Sequence, residues 1–475
     1  MTTNTKQEQL YNYFKDQFPY PPTQDQLELF DVFAAFMLSP TNDSIFVLKG
    51  YAGTGKTSGI SHIINKLHRW GRKFKLLAPT GRATKVLSNY SGFPASTIHK
   101  KIYHVNTQPG GWSFLLKKNT HTNTLFFVDE SSMLSHHTEV VSWSSRQSLL
   151  EDLIDYVYQG TNCRLILIGD TAQLPPVKAE NSPALDDYYL QSHFNKQVVG
   201  VTLKEVVRQT RQSAILMNAT RLRTLIAQDN TEDFKFTLSH DVIRPADGYE
   251  IEDALQQSYY NHSVEDTLFI VRSNKRANLY NRQIRQQLLD LDSDLVSGDY
   301  IMVVKNNYFW LDKNSEAGFI ANGDMAEVIN VFNHVELYGF KFADATLRLI
   351  DYPDLPAFEA KIILNTLDVE AAHLPYEDLQ MLYREISLDY ADLNNKQLIR
   401  EKVISSPFFN ALQVKHTYAV TCHKSQGGQW ANVFIEKPYL PEGQNKNYLR
   451  WLYTALTRAQ RQVYLIGFSD DDFEN

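Results

Sequence analysis

Cysteine is scarce in this chain of 475 residues, and only Cys163 and Cys422 are present. Two thiols exclude a disulfide framework and a four-cysteine zinc site, and they favour a reducing compartment such as the cytoplasm. No apolar run approaches the roughly 20 residues that a membrane-spanning helix needs. The polar start MTTNTKQEQL lacks the layout of a secretory signal. We therefore expect a cytoplasmic protein with no membrane segment.

An excess of positive charge is also absent, because 47 basic residues oppose 54 acidic ones and leave a net charge of −7. A protein that coats nucleic acid is normally basic, so this balance argues mildly against such a role. It does not exclude a narrow groove with local positive charge. Hydrophobic residues at 43% and charged residues at 21% are typical of a globular protein, and the length predicts two to four domains.

Short apolar, β-branched runs are the clearest pattern along the chain. Continuous runs of this length are typical of strands that are buried on both faces of a parallel sheet. Several are separated by helix-length stretches, which predicts doubly wound α/β domains. The runs are 44–48, 74–78, 124–128, 164–168, 267–271, 416–421, 432–435 and 462–468.

The runs fall into two groups, before about residue 200 and after about residue 265, and this predicts two α/β domains. The second group is interrupted between roughly 297 and 410, first by short strands with turn signals that favour a small β-barrel. The later part, 375–405, is charged and has helical periodicity. A smaller interruption at about 100–123 contains a Pro-Gly-Gly turn flanked by possible short strands.

A glycine-rich segment follows the first predicted strand and precedes a predicted helix: Gly50-Tyr51-Ala52-Gly53-Thr54-Gly55-Lys56-Thr57. This context fits a phosphate loop, in which backbone N–H groups surround a triphosphate at the start of a helix. Lys56 would reach the β- and γ-phosphates, and the Thr57 hydroxyl would ligate Mg²⁺. The alternative is a glycine-rich turn with an incidental lysine. ATP and Mg²⁺ are therefore the expected ligands.

Two later runs end in polar residues that suit the same reaction. Asp129 and Glu130 follow the run 124–128, where Asp129 would hold Mg²⁺ and Glu130 would activate the attacking water. Gln173 follows the run 164–168 in Gly-Asp-Thr-Ala-Gln-Leu-Pro-Pro, and its amide suits a contact with the γ-phosphate or the water. Ordinary strand-ending turns are the alternative for both segments.

In this order and spacing, the three segments resemble the RecD/Dda-like branch of superfamily 1 DNA helicases (the B branch), which includes the Pif-type enzymes. The resemblance extends from about residue 22 to about residue 461. Six further segments carry it: 23–26, 77–83, 96–99, 207–209, 420–427 and 453–459.

The resemblance implies roles for single residues. Gln26 matches the family's adenine-reading glutamine, Arg208 its arginine finger, and Arg458 the arginine that completes the active site. A surface salt bridge is the alternative for each arginine. The residues that match strand-contacting positions are short polar or basic donors, suited to phosphates and blind to sequence. They are Pro79, Thr80, Thr97, His99, His423, Lys424 and Ser425.

Two insertions have less certain roles in the resemblance. Family members carry a β-hairpin pin where this chain has 100–123, and Trp112 or Phe114 at its tip would stack on the last base pair of a duplex. A hydrophobic staple within the hairpin is the alternative. By position, the stretch 375–405 would meet the pin, as extensions do in some Dda-like relatives, or would simply pack on its own domain.

The resemblance implies two RecA-like domains. The first would be 1–200 with the pin at about 100–123, and the second 201–296 plus 411–475, with the barrel and its helical extension inserted at 297–410. It also implies a monomeric ATP-dependent helicase that moves 5′ to 3′ on single-stranded DNA and opens forks, with replication or repair proteins as further partners. An ATPase that remodels protein–DNA complexes without efficient unwinding is the alternative. A kinase or nucleotide switch would leave Arg208, Arg458 and the second domain unexplained.

Overall fold

The apolar runs of the first 200 residues form one parallel sheet in the computed structural model, which describes residues 3–108, 111–136, 148–207, 213–231, 234–312, 315, 317–441 and 443–474. Six strands lie in the order β3-β2-β6-β7-β1-β8. With the hairpin strands β4 and β5, the bounds are β1 Ser44–Gly50, β2 Lys73–Ala78, β3 Ala95–Thr97, β4 Tyr103–Gln108, β5 Gly111–Leu116, β6 Thr124–Val128, β7 Arg164–Gly169 and β8 Gln197–Leu203.

Helices cover both faces of this sheet, which explains why its central strands are apolar throughout. Four helices pack in one hydrophobic cluster and three in the other. The first four are α1 Thr3–Lys15, α2 Gln24–Leu38, α3 Lys56–Arg69 and α4 Gly81–Ser91. The opposite face holds α5 Ile98–Ile102, α6 Leu149–Gln159 and α7 Asp187–Phe194.

The predicted insertion at 100–123 contains an antiparallel hairpin, β4–β5, as its turn signal indicated. Thr107 lies opposite Trp112 and Val105 opposite Phe114 in the register. The turn residues 109 and 110 lie outside the described residues, and so do the side chains of Trp112 and Phe114. The predicted roles of these two aromatic residues at a pin tip therefore stay predictions.

The second group of apolar runs forms a five-stranded parallel sheet in the order β16-β10-β17-β18-β9. Its strands are β9 Val242–Ile243, β10 Thr267–Val271, β16 Ala419–Thr421, β17 Trp430–Glu436 and β18 Ala459–Ile466. Its helices are α8 Ala214–Gln228, α9 Gly248–His262, α10 Asn274–Gln283 and α14 Lys446–Leu456.

Between β10 and β16 the chain forms a closed barrel of five strands: β11 Tyr300–Val303, β12 Met325–Leu337, β13 Phe340–Leu349, β14 Phe358–Ile363 and β15 Leu412–His416. The barrel thus extends past residue 410, where the sequence analysis ended it. The run 416–421 is also not one strand, because β15 ends in the barrel at His416 and β16 begins in the second sheet at Ala419. Both strands are largely buried, so the sequence of residues 416–421 stays apolar where the chain passes from the barrel to the second sheet, and the sequence does not mark the boundary.

The charged stretch after β14 is helical, as predicted. The predicted stretch 375–405 comprises α12 Tyr376–Leu388 and α13 Lys396–Ile404, and the short helix α11 Asn365–Asp368 precedes it. The buried faces of α12 and α13, at Leu382, Ile386 and Val403, pack with Phe340 and Phe342 of the barrel's own strand β13. This packing favours the simpler of the two predicted roles, a helical layer on its own domain.

The architecture confirms the predicted fold class of two doubly wound parallel-sheet domains, a hairpin in the first, and a barrel with helices inserted in the second. None of the helices in the described ranges is long and apolar enough to cross a bilayer.

Candidate nucleotide site at the seam between the two sheets

The glycine-rich segment joins β1 to α3 at the carboxyl edge of the first sheet. Gly53 and Gly55 both have φ of +74°, a region that strains any residue with a Cβ. At Gly55 a Cβ would also lie 2.3 Å from Nε2 of Gln26. Lys56 donates from Nζ to the Gly50 carbonyl at 3.1 Å, so its ammonium lies over the loop. The glycines give the backbone path that a phosphate loop requires.

Gln26 is buried against this loop. Its Nε2 donates to the Gly55 carbonyl at 3.3 Å, and its Oε1 accepts the Thr23 backbone N–H at 3.0 Å. Together with the Thr23 hydroxyl it forms the capping box that begins α2. The structure therefore places Gln26 beside the loop with both ends of its amide engaged, and its predicted contact with adenine stays a prediction.

Asp129 and Glu130 follow β6 at the same edge of the sheet. The Tyr90 hydroxyl donates to Oδ2 of Asp129 at 2.6 Å, and the Glu130 N–H donates to its Oδ1 at 2.9 Å. Glu130 has φ of +51°, a backbone conformation uncommon for glutamate. Burial raises the pKa of the Glu130 carboxyl, opposed by Arg458, and this is the direction that a general base working near neutral pH requires.

Asp170 and Tyr453 connect the two α/β domains directly at this site. The Tyr453 hydroxyl donates to Oδ2 of Asp170 at 2.5 Å and accepts the backbone N–H of Ala52, in the glycine-rich loop, at 2.9 Å. Burial raises the pKa of Asp170, and Lys56 is the foremost group that opposes the rise. One hydroxyl of the second domain thus bridges the loop and an acidic residue of the first.

Gln173 lies in the same segment and is 6% exposed. Its Oε1 is buried and has no hydrogen-bond partner within the described ranges. The next residue is held from the second domain, since the Leu174 N–H donates to Thr454 Oγ1 and its carbonyl accepts Gln426 Nε2, each at 2.8 Å. The Gln173 amide oxygen therefore lacks a hydrogen bond, although the neighbouring backbone is held firmly at the seam between the two domains.

Arg458 reaches this seam from the second domain, just after α14. Its guanidinium is 4% exposed and donates to the carbonyls of Thr454 and Gly428. Its charge acts on both Glu130 and Asp170, where it lowers a pKa that burial raises. Arg458 therefore lies at the predicted active site and is not part of a surface ion pair in the described chain.

Arg208, the other predicted arginine, lies outside the described residues. The chain just before it is at the loop, because the Val207 N–H donates to the Gly53 carbonyl at 3.0 Å. Its role as an arginine finger stays a prediction.

Three of the predicted strand-contacting hydroxyls take part in local structure. Thr80 and Thr97 cap the first turns of α4 and α5 by accepting backbone N–H groups. Ser425 is fully buried, and its hydroxyl donates to the Cys422 carbonyl at 2.8 Å. Thr97 and Ser425 are therefore not exposed donors, because each side chain is at least 97% buried. Thr80 is half-buried and remains accessible.

The remaining strand-contacting candidates are half-buried: Pro79, His99, His423 and Lys424. Burial lowers the pKa of Lys424 to about 8 and also lowers that of His423. Lys424 lines a small cavity with Asn274, Asn278 and Lys415 at the edge of the second sheet. Its position beside amide donors and a second lysine suits an anionic group.

Sequence reasoning missed three site residues, which are Tyr90, Asp170 and Tyr453. The last two lie inside segments that the resemblance identified, but an aspartate in a turn and a tyrosine in a helix carry no signal by themselves. Tyr90 is the second-to-last residue of α4. Only the packed structure brings these side chains to the loop and to Asp129.

Comparison with known proteins gives two matching family models. An AAA domain model matches residues 31–248, and a UvrD-like helicase C-terminal domain model matches residues 416–466. The first covers most of the first α/β domain and continues into the second. The other covers β16 to β18, including Arg458.

Curated relatives match along most of the chain. The ATP-dependent DNA helicase Dda of enterobacteria phage T4 is 27% identical over 453 residues, which cover 88% of this chain and 93% of Dda. An uncharacterized protein of Acanthamoeba polyphaga mimivirus is 22% identical, with 90% of this chain and 96% of that protein covered. The RecD2 helicase of Deinococcus radiodurans is 30% identical over 142 residues, 28% of this chain and 16% of RecD2.

Among solved structures, a Pif1 helicase from Bacteroides, crystallised with ADP-AlF3 and single-stranded DNA, matches with a TM-score of 0.45 and 14% identity. The match covers 96% of this chain and 95% of that one. The ordered motifs around the seam, the two family models and the alignment with Dda together support an ATP-dependent helicase of the RecD/Dda/Pif-like branch of superfamily 1.

Proposed function

We propose that this protein is an ATP-driven motor that moves 5′ to 3′ along single-stranded DNA and separates the strands of a fork. The observation that carries the proposal is the bridge from Tyr453 to both Asp170 and Ala52, with Arg458 beside it. These contacts place groups of both α/β domains at one phosphate loop. A nucleotide bound there would touch both domains and would bias the distance between them.

The residues at the loop fit the hydrolysis of ATP. Lys56 and the backbone of the loop would hold the phosphates, Glu130 would orient and deprotonate the attacking water, and Arg458 would stabilise charge on the departing phosphate. Gln173 would direct its unsatisfied amide oxygen to the water. The positive charge from Arg458 comes from the second domain, so hydrolysis depends on the approach of the two domains.

Mg²⁺ fits the same site because the groups that would hold it are oxygen donors, the Thr57 hydroxyl and the Asp129 carboxylate. Thr57 is exposed in the first turn of α3. When bound, Mg²⁺ would neutralise phosphate charge. The Tyr90 hydroxyl fixes the orientation of Asp129 for this role.

The direction of movement and the opening of duplex DNA are proposed from the resemblance to helicases such as Dda. The proposed substrates are single-stranded DNA and forks, with the protein acting as a cytoplasmic monomer beside replication or repair proteins. A translocase that displaces bound proteins without efficient unwinding is the second candidate.

The decisive experiment compares the unwinding of two forks, one with a 5′ tail and one with a 3′ tail, with ATPase measured in parallel on single-stranded DNA, single-stranded RNA and no nucleic acid. We expect DNA-stimulated ATPase and unwinding only of the 5′-tailed fork. A doubly substituted variant, Trp112→Ala with Phe114→Ala, should retain ATPase and lose unwinding. ATPase and translocation without unwinding by the intact protein would support the second candidate, and an ATPase indifferent to nucleic acid would refute both.

The substitution Lys56→Ala tests, in the same assays, whether ATP hydrolysis and DNA binding use separate residues. Because Lys56 lies over the phosphate loop and the strand-contacting candidates lie elsewhere, turnover should fall to background while single-stranded DNA still binds with unchanged affinity. Lys66→Ala, in the same helix, provides the control for a general effect of removing a lysine from α3. Loss of DNA binding by Lys56→Ala would contradict the separation of the two sites.

A further inference from the structure

Basic side chains surround the base of the β4–β5 hairpin. Lys101 precedes the hairpin and Lys117 follows it, and the Lys117 N–H closes the base by donating to the Ile102 carbonyl at 2.6 Å. Lys101 Nζ lies 2.8 Å from His121 Nε2. We define the hairpin-base patch as Lys73, Lys75, Lys101, Lys117, Lys118 and His121.

This concentration of charge is unusual in a chain with a net charge of −7. None of the patch lysines forms a salt bridge within the part of the chain that the structure describes. Lys73, Lys75 and Lys118 are exposed. The patch is thus a locally positive surface without acidic partners, on a protein that is acidic overall.

The patch side chains also repel one another. Burial lowers the pKa of Lys101 to about 8, and the charges of Lys75 and Lys117 add to the decrease. Burial, Lys101, Lys75 and Lys73 lower the pKa of His121 in the same way. Like charges held this close destabilise each other, and a bound polyanion would relieve the repulsion.

Within β2, the patch lysines lie away from two of the candidate strand-contacting residues, Pro79 and Thr80, whereas Lys101 lies two residues from His99 in α5. Lys73 and Lys75 lie in the amino-terminal half of β2, whereas Pro79 and Thr80 follow its carboxyl end. Six residues of extended strand span roughly 17 Å, several times the length of a hydrogen bond. A ligand on Lys73 and Lys75 would therefore bind away from Pro79 and Thr80 at the nucleotide edge of the sheet.

We propose that the hairpin-base patch binds the phosphate backbone of the duplex arm of a fork, and this inference rests on the proposed helicase function. Lysines are point charges that contact phosphates without reading sequence. Sites for single strands pair such charges with aromatic rings on which bases stack. The patch residues include no Phe, Tyr or Trp, and the His121 imidazole packs against Phe126 and contacts Lys101, so the exposed ring of the described hairpin base is the small His104 imidazole beside the patch. A duplex, whose bases are already stacked, suits a surface of lysines alone.

The test uses a triple variant, Lys73→Gln, Lys75→Gln and Lys118→Gln, because these three side chains are exposed and no hydrogen bond of theirs is lost. The matched control removes three exposed lysines elsewhere, Lys6→Gln, Lys396→Gln and Lys402→Gln. Affinity is measured across a salt series for single-stranded DNA, for a 5′-tailed duplex with one tail, and for a fork with two tails.

We expect the triple variant to bind the 5′-tailed duplex about tenfold more weakly, with a salt slope smaller by up to about three, the number of phosphate contacts removed. Its affinity for single-stranded DNA and its DNA-stimulated ATPase should equal those of the control variant. An equal loss on single-stranded DNA, or no loss on the tailed duplex, would overturn the proposal. A loss that requires the second tail would assign the patch to the displaced strand and would also overturn it. Failure of the helicase function itself would show separately, as the absence of DNA-stimulated ATPase in the intact protein.

Discussion

At the scale of the residue, the site depends on a few polar atoms held between two domains. The Tyr453 hydroxyl is the clearest case, because it donates to Asp170 and accepts from Ala52 at once. Arg458 is held in the same way by backbone carbonyls, which fix its guanidinium before any nucleotide binds. Such preorganisation reduces the reorganisation that the reaction itself requires.

Arg458→Ala should abolish hydrolysis and leave nucleotide binding intact, because its guanidinium acts on charge that develops in the transition state. Arginine fingers commonly contribute about 10³–10⁵ to the turnover rate, so we expect kcat to fall by at least about a thousandfold. The measurements are steady-state ATPase with single-stranded DNA and equilibrium binding of a fluorescent ATP analogue. Arg461→Ala, an exposed arginine in β18, is the control. Weakened nucleotide affinity with normal turnover would contradict the assigned role.

At the scale of the element, the phosphate loop and its helices are joined by close contacts that leave little space. The absence of a side chain at Gly55 permits Gln26 to contact the loop, and Gln26 also forms part of the capping box at the start of α2. The same closeness recurs where α4 meets the barrel, since a Cβ on Gly81 would lie 2.6 Å from Oδ1 of Asp324. Small residues at these positions therefore set how closely neighbouring elements approach.

Gly55→Ala should weaken ATP binding by at least about tenfold, because the new methyl group meets Gln26 Nε2 at 2.3 Å and the backbone has φ of +74°. Gly71→Ala is a matched control, with φ of +72° but no atom within 4 Å of the new Cβ. The control should show only the cost of backbone strain, about 1 kcal/mol in unfolding free energy, with normal ATP affinity. Equal effects of the two substitutions on ATP affinity would show that the contact with Gln26 is unimportant.

The junction of α4 with the barrel should depend on pH through Asp324. Burial raises the pKa of this carboxyl to about 7 from 3.8, and the nearby Asp351 adds to the rise. Between pH 4 and pH 7 the folded protein therefore binds a proton that the unfolded chain releases. Stability from this group is greatest at the acidic end of the range and decreases as the pH rises through 7.

Asp324→Asn tests this dependence. The unfolding free energy of the variant should decline less than that of the intact protein as the pH rises from 5 to 8. Arg82 and Lys85 lie 3.6 and 3.7 Å from Asp351 in the same junction and are left in place by this substitution. Parallel pH profiles for the two proteins would show that Asp324 does not titrate in this interval.

At the scale of the whole molecule, the barrel is fixed to the second α/β domain by a buried ion pair. Arg285, in the π-helical turn Ile284–Leu288 that continues α10, donates two hydrogen bonds of 2.8 Å to Asp299 just before the barrel begins. The Tyr418 hydroxyl donates to the same carboxylate at 2.8 Å where the chain leaves the barrel. The segment that enters the barrel and the segment that leaves it are thus both hydrogen-bonded to Asp299. We therefore expect the barrel and the second α/β domain to move together.

Arg285→Ala should destabilise the protein by about 3–5 kcal/mol, because it leaves the Asp299 carboxylate buried without its cation. The control is Arg282→Ala, which breaks the exposed pair with Asp368 and should cost about 1 kcal/mol or less. Denaturant unfolding monitored by fluorescence gives both values. Equal costs for the two variants would show that the buried pair does not hold the crossing.

Prediction from sequence worked where the signal was local. The central strands β1, β6, β7 and β10 were predicted because both of their faces are buried and their apolar runs are continuous. The edge strand β8 was missed because its residues are only partly buried. The barrel strand β15 was assigned to the wrong domain, since an apolar run does not indicate which of two cores it joins.

The sequence by itself determined the chemistry of the site. Glycine spacing, a lysine at the start of a helix and acidic residues after buried strands are local features, and they specify a phosphate loop without a fold. Only the tertiary structure decided which distant groups complete it. Tyr453 and Asp170 are 283 residues apart, and Arg458 meets Glu130 across the same seam. Contacts of that kind depend on how two separately packed cores face each other, and no local pattern in the chain encodes that orientation.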